Sequence, residues 1–283
     1  MGIKIHLLSI VLTVLSVSFG DPKAYFFRSK LAPNSTYNIS MDIRSESTIK
    51  FVADNETLAL LHNSGLKNPT KSSSVQKVEE TIKSGNAGSD SSFFVRMTIN
   101  KFDNVRRVNG VESSTGPGIS MSGLEVTGIY TKENRLTNIR IEGGKLTEEM
   151  RTAIGTMAEN ALGNIRYPDK PMAIGDSFQQ QMPMVIPIPG YSPARLEMVV
   201  SYKLTRVDGD TAYFDNTYTM KMDQEEHEYK MELSGGGAGT LKHDLRRNFF
   251  IADMSRMKMD AKVKTDKFEM DEKSDVQASV VYH

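Results

Sequence analysis

The chain of 283 residues has no cysteine and no tryptophan, and its 35 basic and 35 acidic residues cancel. Past the first twenty residues it has no long apolar run. Each absence excludes something. Without cysteine there is no disulfide framework, thiolate nucleophile, cysteine-type zinc site or cysteine-anchored lipid. A net charge of zero gives no field to hold a nucleic-acid backbone or an anionic membrane surface, so nucleic acid is not an expected partner. A membrane-crossing helix needs roughly 20 apolar residues, so no transmembrane span is expected in the mature chain. What remains, 39% hydrophobic and 25% charged, is an ordinary globular composition, long enough for one large core.

The first twenty residues stand apart. One lysine precedes the almost unbroken apolar stretch from Leu7 to Val17, and Ser18 and Gly20 place small residues just before Asp21. This is the order of a secretory signal. The expected layout is a signal peptide over residues 1–20 and a single β-rich exported domain over 21–283, periplasmic or extracellular. A stretch rich in serine, lysine, asparagine and glycine is expected to form a flexible excursion around 63–92.

Period-two alternation dominates the rest. Tyr37, Ile39, Met41 and Ile43 share one face of an extended segment, and Phe93, Val95, Met97 and Ile99 repeat the pattern. So do Leu196 to Leu204, then Phe214, Tyr218, Met220 and Met222, then Met257, Met259, Ala261 and Val263, then Val276 to Tyr282. Such segments are half-buried antiparallel strands. Asp208-Gly209 and, more weakly, Asn109-Gly110 are hairpin turn signals. Between Phe250 and Met259 the apolar face changes parity around Ser255-Arg256, which predicts a β-bulge. One segment departs from the pattern. Leu146, Met150, Ala153, Ile154, Met157, Ala158, Ala161, Leu162 and Ile165 recur every three or four residues and predict an amphipathic helix of about five turns, with a shorter helix after Asn55. The expected fold is mainly β (α+β): a curved antiparallel sheet or half-barrel packed around one long amphipathic helix.

The strand pair around Phe27 to Ile43, the long amphipathic helix, the segment Tyr167-Pro168-Asp169-Lys170-Pro171-Met172-Ala173-Ile174-Gly175-Asp176-Ser177-Phe178, and the glycine-rich strand Gly235 to Thr240 leading into Asp244 form a set. Together they resemble an uncharacterised family of exported bacterial proteins, a domain-of-unknown-function group. Phe178 stands where such proteins often carry tryptophan, and Asn248 where a turn glycine is usual. The resemblance implies a β-rich exported domain with no assigned activity. In layout alone, the chain is also similar to lipoprotein-carrier folds, in which a curved sheet encloses an apolar cavity.

Candidate chemistry is sparse. His227 lies in Asp223-Gln224-Glu225-Glu226-His227-Glu228, but in a strand Glu226 and Glu228 face away from His227, so metal ligands would not converge. His243-Asp244 lacks a G-x-S-x-G partner, since Gly118 to Gly123 has the wrong spacing. Ser234 to Thr240 lacks the Gly-Lys-Ser/Thr of a phosphate loop and reads as a strand that bends sharply or packs closely. Methionine is in excess, 17 residues. The pairs Met182/Met184, Met220/Met222 and Met257/Met259 raise Cu(I), which prefers soft sulfur, but in a strand they continue apolar stripes and face a core. No catalytic, cofactor or metal residues are therefore assigned, and no cofactor is expected. The candidate lining of an apolar ligand site is Met150, Met157, Met220, Met222, Met257 and Met259, because flexible thioethers repack around varied shapes.

Three functions fit: an exported non-enzymatic module binding an apolar ligand, lipid or lipoprotein; a cell-envelope structural or interaction domain without a cavity; and, with least support, a hydrolase using carboxylates. The signal makes a direct prediction. N-terminal sequencing of exported protein should begin at about Asp21; an intact Met1 would overturn the export reading.

Overall fold

Alternating apolar and polar residues give a long strand one face for a core and one for water. In the computed structural model these faces line up across a single twelve-stranded antiparallel sheet. The structure describes residues 23–283 except 64–66, 114–120, 144–145, most of 147–164, 187–193, 223–228 and 267.

The sheet is two meanders joined in the middle. The first runs through β2 (Thr36–Ala53), β3 (Thr70–Ser84), β4 (Phe93–Val108), the short β5 (Val111–Ser113), β6 (Glu125–Tyr130) and β7 (Leu136–Glu142). The second runs through β9 (Ser177–Ile186), β10 (Ala194–Asp208), β11 (Thr211–Met222), β12 (Lys230–Asp244), β13 (Phe249–Lys264) and β14 (Phe268–Tyr282). β2 pairs with β14 over almost its whole length, from Ala53 opposite Phe268 to Ile39 opposite Tyr282. The order across the sheet is β7-β6-β4-β3-β2-β14-β13-β12-β11-β10-β9, with β5 on β4. A separate two-residue pair links β1 (Ala24–Tyr25) to β8 (Met172–Ala173).

Helix is scarce. The fold expectation of a sheet around one long amphipathic helix is corrected: the structure is almost all strand, and no long helix is present among the described residues. The helix described from end to end is the short α1 (Asn55–Asn63), whose N-terminus is capped by the Asp54 carboxylate accepting the Thr57 N–H at 2.7 Å, a standard use of aspartate there. Most of the segment expected to be helical lies outside the described residues. Those within it that are described sit at the seam between the sheet's edges. Ile154, Ala158 and Ile165 join the core, and Arg151 donates to the Ile141 carbonyl of β7 at 2.8 Å. On the other side the Arg166 N–H reaches Gln180 of β9 at 3.1 Å. Within that segment the described residues Arg151, Ile154, Gly155 and Ala158 are helical where they stand.

The excursion expected around 63–92 also differs: residues 70–84 are β3, held between β2 and β4. The two hairpin signals are both turns. Asp208 pairs with Thr211 around Gly209, at φ 56°, and Val108 pairs with Val111 around Asn109 and Gly110, both left-handed at φ 52° and 81°. The second therefore meets the type I′ requirement. The predicted bulge exists, but at Ile251, where the β12–β13 register slips between Lys242 and His243.

Inward positions on β12 include Gly235, Gly237 and Gly239. A Cβ on Gly237 would run into the Arg256 carbonyl oxygen of β13, and one on Gly239 into that of Met254; on Gly235 it would lie 2.9 Å from the Lys258 oxygen. Strong local twist turns the Cβ directions of β12 toward its neighbour, and only glycine permits that approach. Gly237→Ala should therefore cost about 3 kcal/mol in urea unfolding. Gly110→Ala, with open space around it but a left-handed φ, should cost about 1 kcal/mol. Equal effects would mean that the β12 glycines are not packed against β13.

Candidate functional site

The inner face changes character along the strands. Call the end holding Thr36 and Tyr282 the upper end. There the main core gathers Phe27, Leu31, Tyr37, Val95, Tyr130, Leu204, Phe214 and Leu241. An aromatic group seals it: Phe27, Tyr167 and Phe214 surround His243 or one another at centroid distances of 5.0 to 5.8 Å.

His243 is a structural member of this group. Its Nδ1 accepts the Tyr167 hydroxyl at 3.0 Å and its Nε2 faces the Asn248 Oδ1 at 3.3 Å, which also accepts the Arg28 N–H at 2.8 Å. Those partners assign the Nε2–H tautomer. Burial holds its pKa down, from 6.5 to about 4, so the ring stays neutral. Asn248 occupies its turn with φ 54°, a left-handed conformation that asparagine tolerates better than most residues.

Toward the lower end the inner face opens and divides. On β2 and β3 it is lined by serines that bond each other across the strands, Ser45 to Ser74 and Ser47 to Ser72, each at 2.8 Å. On β9 to β13 methionine prevails, while β14 places Ser274 opposite Met259 and Glu272 opposite Ala261. Met198 is the register partner of both Met182 and Met220, and Met259 stands opposite Gly235. The Met220 sulfur leans over that glycine, 3.2 Å from where a Cβ would be, and Met257 leans over Gly237, its Cγ at 2.9 Å. Met222, Leu233 and Met270 pack around a second, smaller cluster of Tyr229, Met231, Ala261 and Val263. Of the expected lining residues, Met220, Met222, Met257 and Met259 thus share this face and are half-buried. Met150 and Met157 lie outside the described residues, as do His227 with its acidic neighbours and Ser120.

Between the methionine rows and the upper core lies a group that the alternation concealed. Asn216 of β11 and Ser255 of β13 flank Gly239, and Asp253 occupies the next inward position above Ser255. Asn216 is 1% exposed, and neither atom of its amide has a hydrogen-bond partner, nor does Asp253 Oδ1. Burial raises the pKa of Tyr218, and its hydroxyl lies close enough to Asn216 and Ser255 for both to oppose that rise. Burial also raises the Asp253 pKa from 3.8 to about 6. The signal was available: Asn216 interrupts the apolar series Ala212, Phe214, Tyr218, Met220. Glu80, between Val78 and Ile82, is a second such interruption, 8% exposed with Oε1 unpartnered.

The outer face differs throughout. A groove of about 630 Å³ crosses it between Arg44, Thr240, Met254, Arg256 and Ser279. Its guanidinium groups are already engaged, Arg44 with Asp42 at 3.3 Å and Arg256 with Asp275 at 3.0 and 2.6 Å. The inner face is the better candidate, because it combines apolar surface with polar groups that lack partners. Among the described residues no group of three or more histidine, aspartate or glutamate side chains is placed to hold a metal ion, and no helix is long and apolar enough to cross a membrane.

No family model and no curated protein matches the chain. Among solved structures, an outer membrane channel from Pseudomonas putida F1 aligns over 90% of this chain and 98% of its own at 9% identity, with a TM-score of 0.25. A superposition that loose supports no conclusion. The outer face does: at mid-height it carries Asp42, Arg44, Arg256, Lys258 and Asp275, in register on adjacent strands. A membrane barrel presents an apolar band at that place.

Glu80 generates a pH prediction. Burial raises its pKa from 4.5 to about 7, so between those values the folded state keeps a proton that the unfolded chain releases. The stability it contributes is complete below pH 4.5 and is lost as pH rises through 7. For His243 the sign is opposite: its contribution is complete above pH 6.5 and is lost as pH falls through 4. Glu80→Gln should therefore stabilise the protein at pH 8 by about 3 kcal/mol and leave it nearly unchanged at pH 4.5, as read by thermal unfolding at both values. A destabilised variant at pH 8 would show that Glu80 is ionised and paired.

Proposed function

We propose that this is an exported, non-enzymatic β-domain whose inner face binds an elongated apolar ligand such as a lipid chain. The supporting observation is the half-exposed methionine floor on the lower inner face, where Met220, Met222, Met257 and Met259 stand side by side instead of being sealed in the core. Methionine has three rotatable bonds and a polarisable sulfur, so such a floor adapts to a guest at little cost. A wall of mutually bonded serines opposite it keeps the trough open to water without leaving polar atoms unpaired. Export rests on the signal-like first twenty residues. The second reading, an envelope interaction domain, draws on the charged outer face and needs no ligand.

Native mass spectrometry of protein purified from its own compartment should show added mass consistent with a lipid. Met259→Ala separates the two readings. In a dense core the change costs roughly 2 to 5 kcal/mol. As part of a ligand floor it should cost less than about 1 kcal/mol and weaken binding of the neutral apolar fluorophore N-phenyl-1-naphthylamine. A large stability loss with no probe binding by the parent protein would leave the interaction reading.

A further inference from the structure

Moving up the inner face from the open end, a chain would cross three kinds of surface. First come Met222 and Met231, then the row of Met198, Met220 and Met259, then Tyr218 and Met257 on either side of Gly237. Immediately above stand Asn216, Ser255 and Asp253. The apolar floor thus ends against polar groups instead of continuing into the upper core.

That ending is physically anomalous. A buried amide with no hydrogen bond costs about 1 to 3 kcal/mol relative to one that is satisfied, and buried polar groups are nearly always paired. Here both amide atoms of Asn216 and one carboxylate oxygen of Asp253 are unpaired, on the two strands that flank β12 and one inward step apart. A leucine at 216 would fill the same place without that penalty. The two rows below hold Met257 and Met220, side chains able to swing aside.

We infer that Asn216, Ser255 and Asp253 form the head-group end of the ligand site, which takes an amphiphile with an uncharged hydroxyl- or amide-bearing head, such as a monoacylglycerol or fatty alcohol. This rests on the ligand-binding reading above. The chemistry sets the class. An amide offers both a donor and an acceptor, and a serine hydroxyl offers the same, which matches a hydroxyl or amide head. No lysine or arginine stands in the adjacent inward positions on β10 to β14, so nothing there compensates a carboxylate or phosphate head, while the Asp253 carboxyl repels one. The lower end of the trough admits the tail; the head meets the polar row.

The test uses the full exported protein and N-phenyl-1-naphthylamine as the displaced probe, with monoolein and oleate as competitors at pH 8. The parent should bind monoolein about tenfold more tightly than oleate, the ratio expected from one well-made hydrogen bond in a dry site. Asn216→Leu should raise the melting temperature, because an unsatisfied group is removed, and bring the ratio close to one. Ser255→Ala, at a half-buried position, should lower the ratio part-way and serves if the leucine variant does not fold. Probe binding with equal displacement by both competitors, unchanged in the variants, would overturn the head-group assignment while leaving the apolar trough intact. No probe binding at all would remove the trough itself.

Discussion

The contact that shapes this sheet is the approach of the β13 backbone to the inward glycines of β12. The carbonyls of Met254, Arg256 and Lys258 occupy the space in which side chains of β12 would begin. Because that space is taken by backbone, β12 contributes no inward side chain between Leu233 and Leu241, and its neighbours fill the lane. Met220 leans in from β11 and Met257 from β13. The local twist, the methionine floor and the position of Asn216 beside Gly239 all follow from one run of small residues.

Polar groups divide the interior in two ways. The serines of β2 and β3 satisfy each other, so they cost little and leave a wettable wall. Asn216, Asp253 and Glu80 are not satisfied, and they stand where the alternation of their strands calls for apolar residues. Their burial raises the pKa of Asp253 to about 6 and that of Glu80 to about 7, which opposes the effect of the neutral His243 on acid stability. The fold tolerates this because the upper core is large and aromatic, with rings such as Phe178 and Tyr202 stacked at 4.8 Å.

Much of this was legible in the residues. Strands with one dry face announced themselves by alternation, as in Tyr37 to Ile43 and Leu196 to Leu204, and the glycine run was readable as a bend. β3 was not, because Ser72, Ser74 and Gln76 face inward against Ser45 and Ile43; polarity on both faces erases the period of two. Most of the stripe from Leu146 to Ile165 lies outside the described residues; Ile154 and Ala158, which are described, are helical and pack with the core. The four strand methionines share a face because i and i+2 always do, whereas Asn216 was overlooked because a single polar residue barely disturbs an otherwise regular series.

The strand order also governs how the chain can become a sheet. Neighbours within each meander follow one another closely along the chain, yet the central ladder joins β2, the first long strand, to β14, the last. Contacts at such separation form late, since closing a loop of that length precedes any gain from it. Until β14 arrives, β2 exposes one side of an eighteen-residue strand, the kind of bare edge that recruits strands from other molecules. A nascent chain is therefore at its most adhesive while its final hairpin is missing, and a partner that shields β2 during that interval would act on folding without touching the finished domain.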